Sequence, residues 1–396
     1  MKPVTYGEVW KSLRPLQTPT THGSHYVSHL HEATAGAMRH HSKANPYQRR
    51  QPSAGRATIH DVAAAAAVSV ATVSRVLNGT ANVMPETLAR VRAAVDTLNF
   101  VPSSVARNLS LQRTNTLGLL FPEISGPFFA QSLRGIESVA SAAGYNLLIY
   151  SMSAHPDINA ITSIPMGAQN TDGLLIMSDA VSDDFVRKLY AMHMPLVLVY
   201  RSLPGLPLPA VTVENKHGAR RLVEHLIGLG HRRIAFINGP RANEDSDWRA
   251  RGYYEALAAH GLTHDPALAV EGGFSEETGA AGARELLARG AEFTALFAAD
   301  DEMAIGAIAV LNAAGLRVPQ DVAVVGFDDI VTARYIQPPL TTVRAPTEQV
   351  GREAVRLLLA AIAGAPPPAQ TLLLPVELVI RQSCGYRPRT NDERPM

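Results

Sequence analysis

Few folds are open to residues Thr58 to Gly79, which read Thr-Ile-His-Asp-Val-Ala-Ala-Ala-Ala-Ala-Val-Ser-Val-Ala-Thr-Val-Ser-Arg-Val-Leu-Asn-Gly. Thr58 and Asp61 stand three residues apart, so the hydroxyl can accept from an orphan amide while the carboxylate sits against the positive end of a helix. Ser69 repeats the start signal eleven residues on. Val62, Ala63 and Ala66 share one helical face, and Val73, Val76 and Leu77 make the matching face of a second helix. Two short helices joined by a tight turn would bury these faces in each other, with Ala63 letting the axes approach closely. The outward side of the second helix then carries Val70, Ala71, Ser74 and Arg75. Such a pattern is either a DNA-reading helix-turn-helix or a helical hairpin within a larger all-α core.

Downstream residues decide between the two. Met84-Pro85-Glu86-Thr87 predicts a third helix with proline in its first turn, carrying Leu88, Val91, Val95 and Leu98 inward and Arg90 and Arg92 outward. Asp-Val-Ala (61–63), Val-Ser-x-x-Thr-Val-Ser-Arg-Val-Leu-Asn (68–78), Leu-Asn-Phe-x-Pro (98–102) and Ala-Arg-x-Leu (106–109) follow at fixed spacing, ahead of a long α/β region. In these residues the chain, over roughly 57 to 385, resembles the lactose-repressor/galactose-repressor (LacI/GalR) family of bacterial transcription regulators. The resemblance implies that Val70 and Ala71 occupy the base-reading positions, with Ser69, Thr72, Ser74, Arg75 and Asn78 beside them. Thr58 and Arg107 complete the expected DNA-binding set, and Leu109 is the hinge-helix wedge for the minor groove. Ala67 stands where such turns often have glycine, and a left-handed conformation there costs an alanine about 1 kcal/mol.

Charge is divided along the chain. Residues 1 to 115 hold 13 Lys/Arg against 5 Asp/Glu, a balance of +8, and the net charge of +1 leaves −7 for the remainder. Phosphate contacts supply most non-specific DNA affinity, so this asymmetry directs the N-terminal part toward DNA. Cys384 is the only cysteine, which rules out an intrachain disulfide and suits a reducing compartment. With no apolar run of about 18 residues and no signal-peptide core, a cytoplasmic, nucleoid-associated protein without membrane contact is expected.

Residues 1 to 55 are polar, contain His22, His25, His29, His31, His40 and His41, and lack sustained periodicity before the basic Gln48-Arg49-Arg50-Gln51-Pro52. They read as a disordered extension, either a basic arm or the product of an upstream start codon. A metal site at His25, His29 and His31 has no Cys or Asp neighbours to complete a shell, so neither metal nor cofactor is expected. The headpiece is placed at 56–101, the hinge helix and linker at 102–115, and a disordered tail at 386–396.

From Thr116 apolar runs alternate with amphipathic helices. The runs are Leu117–Phe121, Leu147–Tyr150, Gly173–Met177, Leu196–Val199, Ile234–Ile237, Ala295–Ala298 and Val322–Val325, with helices at Phe128–Ala142 and opening near Asn215, Asp247, Glu276, Asp301 and Thr347. Runs buried on both faces imply parallel sheets covered by helices. The resemblance implies a two-lobed, periplasmic-binding-protein-like core over 116–385, with lobe 1 at about 116–213 and 345–374 and lobe 2 at about 214–344 and 375–385. The chain would cross between lobes near 214, 344 and 375. Pro165 should break the helix expected between Asp157 and Asn170. Gly228-Leu229-Gly230-His231-Arg232-Arg233 precedes a strand, so it reads as a helix C-cap and not as a dinucleotide loop.

Ligands of such sheets sit beyond the carboxyl ends of the strands. Asp300 and Asp301 follow one run, Asp328 and Asp329 another, Phe128 and Phe129 the first, Phe274 follows Val270-Glu271-Gly272-Gly273, and Arg249 lies in Asp247–Tyr253. Carboxylates and a guanidinium can take paired sugar hydroxyls, and aromatic faces cover a pyranose. Asp301 and Asp329 read as helix N-caps, whereas the resemblance places Asp300, Asp328 and Arg249 on effector positions. Met177 and Tyr200 stand where relatives often carry polar side chains.

Three function classes can be weighed: a ligand-controlled regulator binding a two-fold symmetric operator as a homodimer, a cytosolic sugar-binding module, and an α/β enzyme. The module leaves the headpiece unexplained. For an enzyme the sequence offers no Gly-rich phosphate loop, no nucleophile elbow and no histidine paired to a strand-end carboxylate. A regulator, most simply a repressor, is therefore expected, with a saccharide as effector and a purine or nucleoside as the alternative.

Overall fold

The computed structural model describes residues 57–78, 83–101, 113–122, 126–152, 166–167, 169–177, 181–368 and 370–386. The 1–55 extension, the hinge helix with Arg107 and Leu109, Pro165 and the segment around it, and the tail beyond 386 lie outside the described residues, as does the side chain of Asn78. Backbone contacts divide the chain into two compact units that part at Thr114.

The first unit holds α1 (Ile59–Ala65), α2 (Val70–Asn78) and α3 (Pro85–Thr97). Thr58 and Asp61 form the reciprocal capping box, the Asp61 carboxylate accepting from the Thr58 amide at 2.8 Å. Ala67 adopts the left-handed conformation, φ 48°, and lets the chain turn sharply before the Ser69 hydroxyl accepts from the Thr72 amide at 3.2 Å. Val62, Ala63 and Ala66 of the first helix and turn bury against Val73, with Val91 and Ala94 of α3 closing the core. The small alanines explain how three short helices approach closely enough to exclude water.

The second unit is α/β. Its first sheet runs β11-β5-β4-β3-β1-β2, built from β1 (Thr116–Phe121), β2 (Asn146–Ser151), β3 (Gly173–Met177), β4 (Leu196–Val199), β5 (Ala210–Val213) and β11 (Leu372–Leu374). All its pairings are parallel. The second sheet is also parallel, in the order β7-β6-β8-β9, from β6 (Ile234–Asn238), β7 (Ala269–Glu271), β8 (Ala295–Ala298) and β9 (Ala323–Val325). A separate antiparallel ribbon pairs β10 (Thr342–Arg344) with β12 (Glu377–Val379). β3, β4, β5 and β8 are buried throughout, as the unbroken apolar runs of β3, β4 and β8 require once helices cover both faces.

Helices α4 (Pro127–Ala142), α5 (Asp183–Ala191) and α10 (Thr347–Ile362) belong with the first sheet, and α6 (Asn215–Gly228), α7 (Glu244–Ala259), α8 (Glu276–Ala288) and α9 (Asp301–Ala313) with the second. The chain passes from one sheet's elements to the other's between β5 and α6, between β10 and α10, and between β11 and β12. α7 opens three residues earlier than the Asp247 expected from the sequence, because Asn243 caps it by accepting from the Ser246 amide at 3.0 Å. Gly230, φ 99°, follows the Leu229 C-cap and ends α6 in the left-handed conformation. At Gly306 a Cβ would lie 2.0 Å from the Glu276 carbonyl, and at Gly279 2.2 Å from that of Met303. Only glycine allows α8 and α9 to pack this closely, which sets their N-termini side by side.

Candidate ligand cleft and DNA-reading helix

In the helical unit the candidate DNA-reading residues follow from α2. Ala71 and Arg75, one turn apart, are both exposed. Val70 is half-buried against the headpiece core and so departs from the outward position expected for it. It precedes the buried Val73 by three residues, and that spacing turns its side chain inward. Ser74 is half-buried, Thr58 and Ser69 are exposed and serve as caps, and the Thr72 and Ser69 hydroxyls lie 2.9 Å apart.

In the α/β unit all eight residues proposed for the effector line a single cavity of about 260 Å³. Phe128 and Phe129 open α4 after β1, Met177 ends β3, and Tyr200 follows β4. From the other sheet come Arg249 on α7, Phe274 after β7, Asp300 after β8 and Asp328 after β9. The cavity therefore lies at the carboxyl ends of both sets of strands, where successive strand-to-helix turns meet. Tyr200 (φ 59°), Phe274 (φ 60°) and Asp328 (φ 110°) are held in left-handed backbone conformations. Each costs about 1–3 kcal/mol and persists only where the surrounding structure over-determines it.

One wall is aromatic. The rings of Phe128 and Tyr200 lie 5.0 Å apart, those of Phe128 and Phe129 5.4 Å, and Phe129 meets Phe121 edge-on at 5.9 Å. Burial drives the pKa of the Tyr200 hydroxyl upward.

The opposite wall is built on Arg249. Its Nε donates to Asn215 Oδ1 at 2.9 Å, one terminal nitrogen to the Ala299 carbonyl at 2.6 Å, and the other to Asp328 Oδ1 at 3.0 Å. The guanidinium carbon sits over Phe327, 3.9 Å from the ring centroid, and Arg249 is 3 % exposed. With most of its five donors engaged by the protein, Arg249 holds Asp328 in place and has little left for bidentate contact with a ligand. Arg249 also lines the cavity, so the effector contact expected of it stands beside its hold on Asp328.

The caps also differ from expectation. Asp300 is the N-cap of α9 while lining the cavity, its carboxylate accepting from the Met303 amide at 2.8 Å. Asp301, expected to cap, instead bridges inward, accepting from the Ile330 amide at 2.9 Å and from the Thr342 hydroxyl. Asp329 caps no helix either; its buried carboxylate pairs with Arg334, Arg344 and Arg381. Both departures arise because the carboxylates reach residues distant in sequence that no local pattern brings near.

The sequence reading missed Asn243, Asp245, Ser275 and Glu302, which also line the cavity. Asn243, Ser275 and Asp300 cap α7, α8 and α9, so three helix N-termini converge on one space. A cap residue soon after each of β6, β7 and β8 was the available signal. Asp245 accepts from Asn215 Nδ2 at 2.7 Å and from the Thr212 hydroxyl at 3.3 Å. Burial, opposed by Arg249, pushes its carboxyl up to about 7. Burial and then the charge of Asp328 push Asp300 up to about 8. Burial also raises Asp328, against the pull of Arg249.

Residues 58–103 match the family described as bacterial regulatory proteins, lacI family, and residues 223–384 a periplasmic binding protein-like domain. The chain is 38% identical to the HTH-type transcriptional regulator CelR of Thermobifida fusca over 83% of its own length and 98% of that protein. It is 36% identical to GalR of Salmonella typhimurium, covering 83% of this chain and 96% of that one. Among solved structures, the lac repressor dimer bound to operator and the anti-inducer ONPF is 30% identical with a TM-score of 0.73, over 83% of this chain and 99% of that chain. A CelR–cellobiose complex is 36% identical with a TM-score of 0.62, over 83% and 100%. Helix-turn-helix unit, paired parallel sheets and relatives agree, and the chain belongs to the LacI family of DNA-binding transcriptional regulators.

Proposed function

We propose that the chain binds a two-fold symmetric operator as a homodimer in the cytoplasm, and that a saccharide seated between the two sheets controls that binding. The convergence of eight residues, chosen from sequence, on one aromatic and carboxylate-lined cavity carries the reading. Aromatic faces beside carboxylates suit a pyranose, whose C–H face stacks while its hydroxyls donate. The cellobiose bound by the CelR relative makes a β-linked disaccharide the first candidate.

In this reading residues 56–101 read the half-site, 102–115 form the hinge helix, and 116–385 bind effector and dimerise. Ala71 and Arg75 face the major groove, and a guanidinium on guanine is worth about 1–3 kcal/mol of discrimination. Leu109, which has no hydrogen-bonding group, wedges a central base step. Binding-site selection on randomised DNA tests the DNA half of the reading. Arg75→Ala is expected to relax one symmetric base pair, Leu109→Ala the centre only, and a selected site without two-fold symmetry overturns the model. A thermal-shift screen over sugars and nucleosides tests the other half, since ligand at 100 times its Kd adds about 2.7 kcal/mol. A nucleoside hit with no saccharide hit rejects the sugar.

A further inference from the structure

One carboxylate joins the elements of the two sheets beside the cavity. Ser202 follows β4 of the first sheet, and Glu244 opens α7 beside the second. Glu244 Oε2 accepts from the Ser202 amide at 2.6 Å, and the Ser202 hydroxyl donates to Oε1 at 3.0 Å and to Oε2 at 3.1 Å. One turn along α7, the Trp248 indole N–H donates to Glu244 Oε1 at 3.3 Å. Arg251 and Lys216 lie 4.7 and 6.0 Å from the centre of that indole, so the ring that orients the carboxylate is itself held. Neither Ser202 nor Glu244 lines the cavity, yet Tyr200, Asn243 and Asp245, one or two residues away, all do. The Tyr200–Ser202 stretch is stiff as well. Tyr200 is buried with φ 59°, and the Arg201 guanidinium donates to the Val181 carbonyl at 2.7 Å and pairs with Asp183. A displacement of the aromatic wall therefore carries Ser202 with it.

We propose that Glu244 and Ser202 form a latch that closes the two lobes on the effector, and that Glu244 sets effector affinity from outside the cavity as a positioning residue. The proposal rests on the reading above that an effector sits between the sheets. Asp245 also reaches the first sheet, at Thr212, but Thr212 lies on β5, which leads directly into the crossover to α6. A hinge motion displaces atoms least there. Ser202 stands on the turn after the neighbouring strand, away from that crossover, so its bonds to Glu244 break when the lobes part. Bonds from an amide and a hydroxyl to a carboxylate are charge-assisted and strong, while their partly buried position lets water replace them. Closure is therefore reversible. Where only a fraction of the free molecules is closed, the apparent Kd rises in inverse proportion to that fraction.

Two measurements on the full-length protein test the latch. In the first, Lys188→Cys on α5 and Arg284→Cys on α8, both exposed, carry spin labels in a Cys384→Ser background. Labelled protein is diluted into excess unlabelled protein, so that distances arise within one protomer. Without ligand, Glu244→Gln and Ser202→Ala, each checked for an unchanged melting temperature of the α/β unit, are expected to populate a second distance more heavily than wild type. The double variant should go no further than the larger single change, because both remove one contact. An identical distance distribution in all four proteins overturns the proposal. In the second measurement cellobiose is titrated by calorimetry, and both variants are expected to bind about 10-fold more weakly than wild type. Equal affinity in wild type and both variants overturns the latch and leaves the saccharide reading standing. Cellobiose failing to bind wild type counts against the disaccharide, and the distance measurement then decides the latch alone.

Discussion

The headpiece and the cleft solve the problem of polar groups near a protein core in opposite ways. In the headpiece the Thr58–Asp61 and Ser69–Thr72 contacts span three residues each, so each of these two caps is completed by its own helix. In the cleft Arg249 reaches Asn215, Ala299 and Asp328 across 34, 50 and 79 residues. The headpiece caps are exposed, and each is worth little; the cleft network is buried, and each member depends on the others. Stability in one unit is therefore a sum of small local increments, and in the other it is concentrated in a few groups that cannot be lost singly.

Arg249→Ala makes the sharpest demand on that contrast. Removing one partner of a buried pair leaves Asp328 charged and uncompensated, at a cost of about 3–5 kcal/mol. Urea unfolding of the full chain is expected to show that loss. Arg249→Ala with Asp328→Ala should be less destabilised than Arg249→Ala alone, since the orphaned charge goes with it. Additive losses in the double variant would show that the two residues act independently.

Asp300 gives an effect of intermediate size and a definite sign. Its folded-state carboxyl is raised from 3.8 to about 8, so the folded form holds the proton more tightly than the unfolded chain. Its contribution to stability is complete below the unfolded value and is lost as pH climbs through about 8. Asp245, Asp301 and Asp328 shift in the same direction. Asp300→Asn keeps a good N-cap for α9 and removes the charge. Its melting temperature is expected to fall less than wild type between pH 5 and pH 9, with a relative gain of about 2–4 °C per kcal/mol at the alkaline end. A parallel pair of curves would sink the charge argument at this position.

The same contrast explains what the sequence disclosed. Caps, helix faces and the run-and-turn alternation are local, so α1 to α3 and most of the buried strands could be named in advance, whereas β5, where Thr212 interrupts the apolar residues, was not. The resemblance to a known family placed Asp300, Asp328 and Arg249. It did not show that Arg249 spends its donors on the protein, because Asn215 and Ala299 lie on other elements around the second sheet, 34 and 50 residues away. Asp329 failed for the same reason: its partners Arg344 and Arg381 lie on and beyond the antiparallel ribbon. Asn243 and Ser275 were legible as caps, yet nothing local shows that three capped ends converge.

Thr58→Ala measures the local regime directly. It removes both halves of the capping box on an exposed helix end, and a loss of about 1 kcal/mol is expected, confined to the headpiece. Amide exchange should rise across α1 and stay unchanged in β1 and β3. Accelerated exchange in the α/β unit would mean that the two units are not energetically separate.

The smallest effect is expected at Ala67, where two local terms oppose each other. Its φ of 48° costs an L-residue about 1–2 kcal/mol that glycine does not pay. Glycine in turn brings extra freedom to the unfolded chain, worth about 0.4–1 kcal/mol against folding. Ala67 is exposed, so its methyl group contributes little burial to offset the strain. Ala67→Gly should therefore stabilise the headpiece by about 0.5 kcal/mol, read as slower exchange of the Val62 and Val73 amides. A destabilised headpiece would show that the unfolded chain, and not the strained turn, dominates at this site, and that even the most local feature of the headpiece cannot be judged from its folded geometry alone.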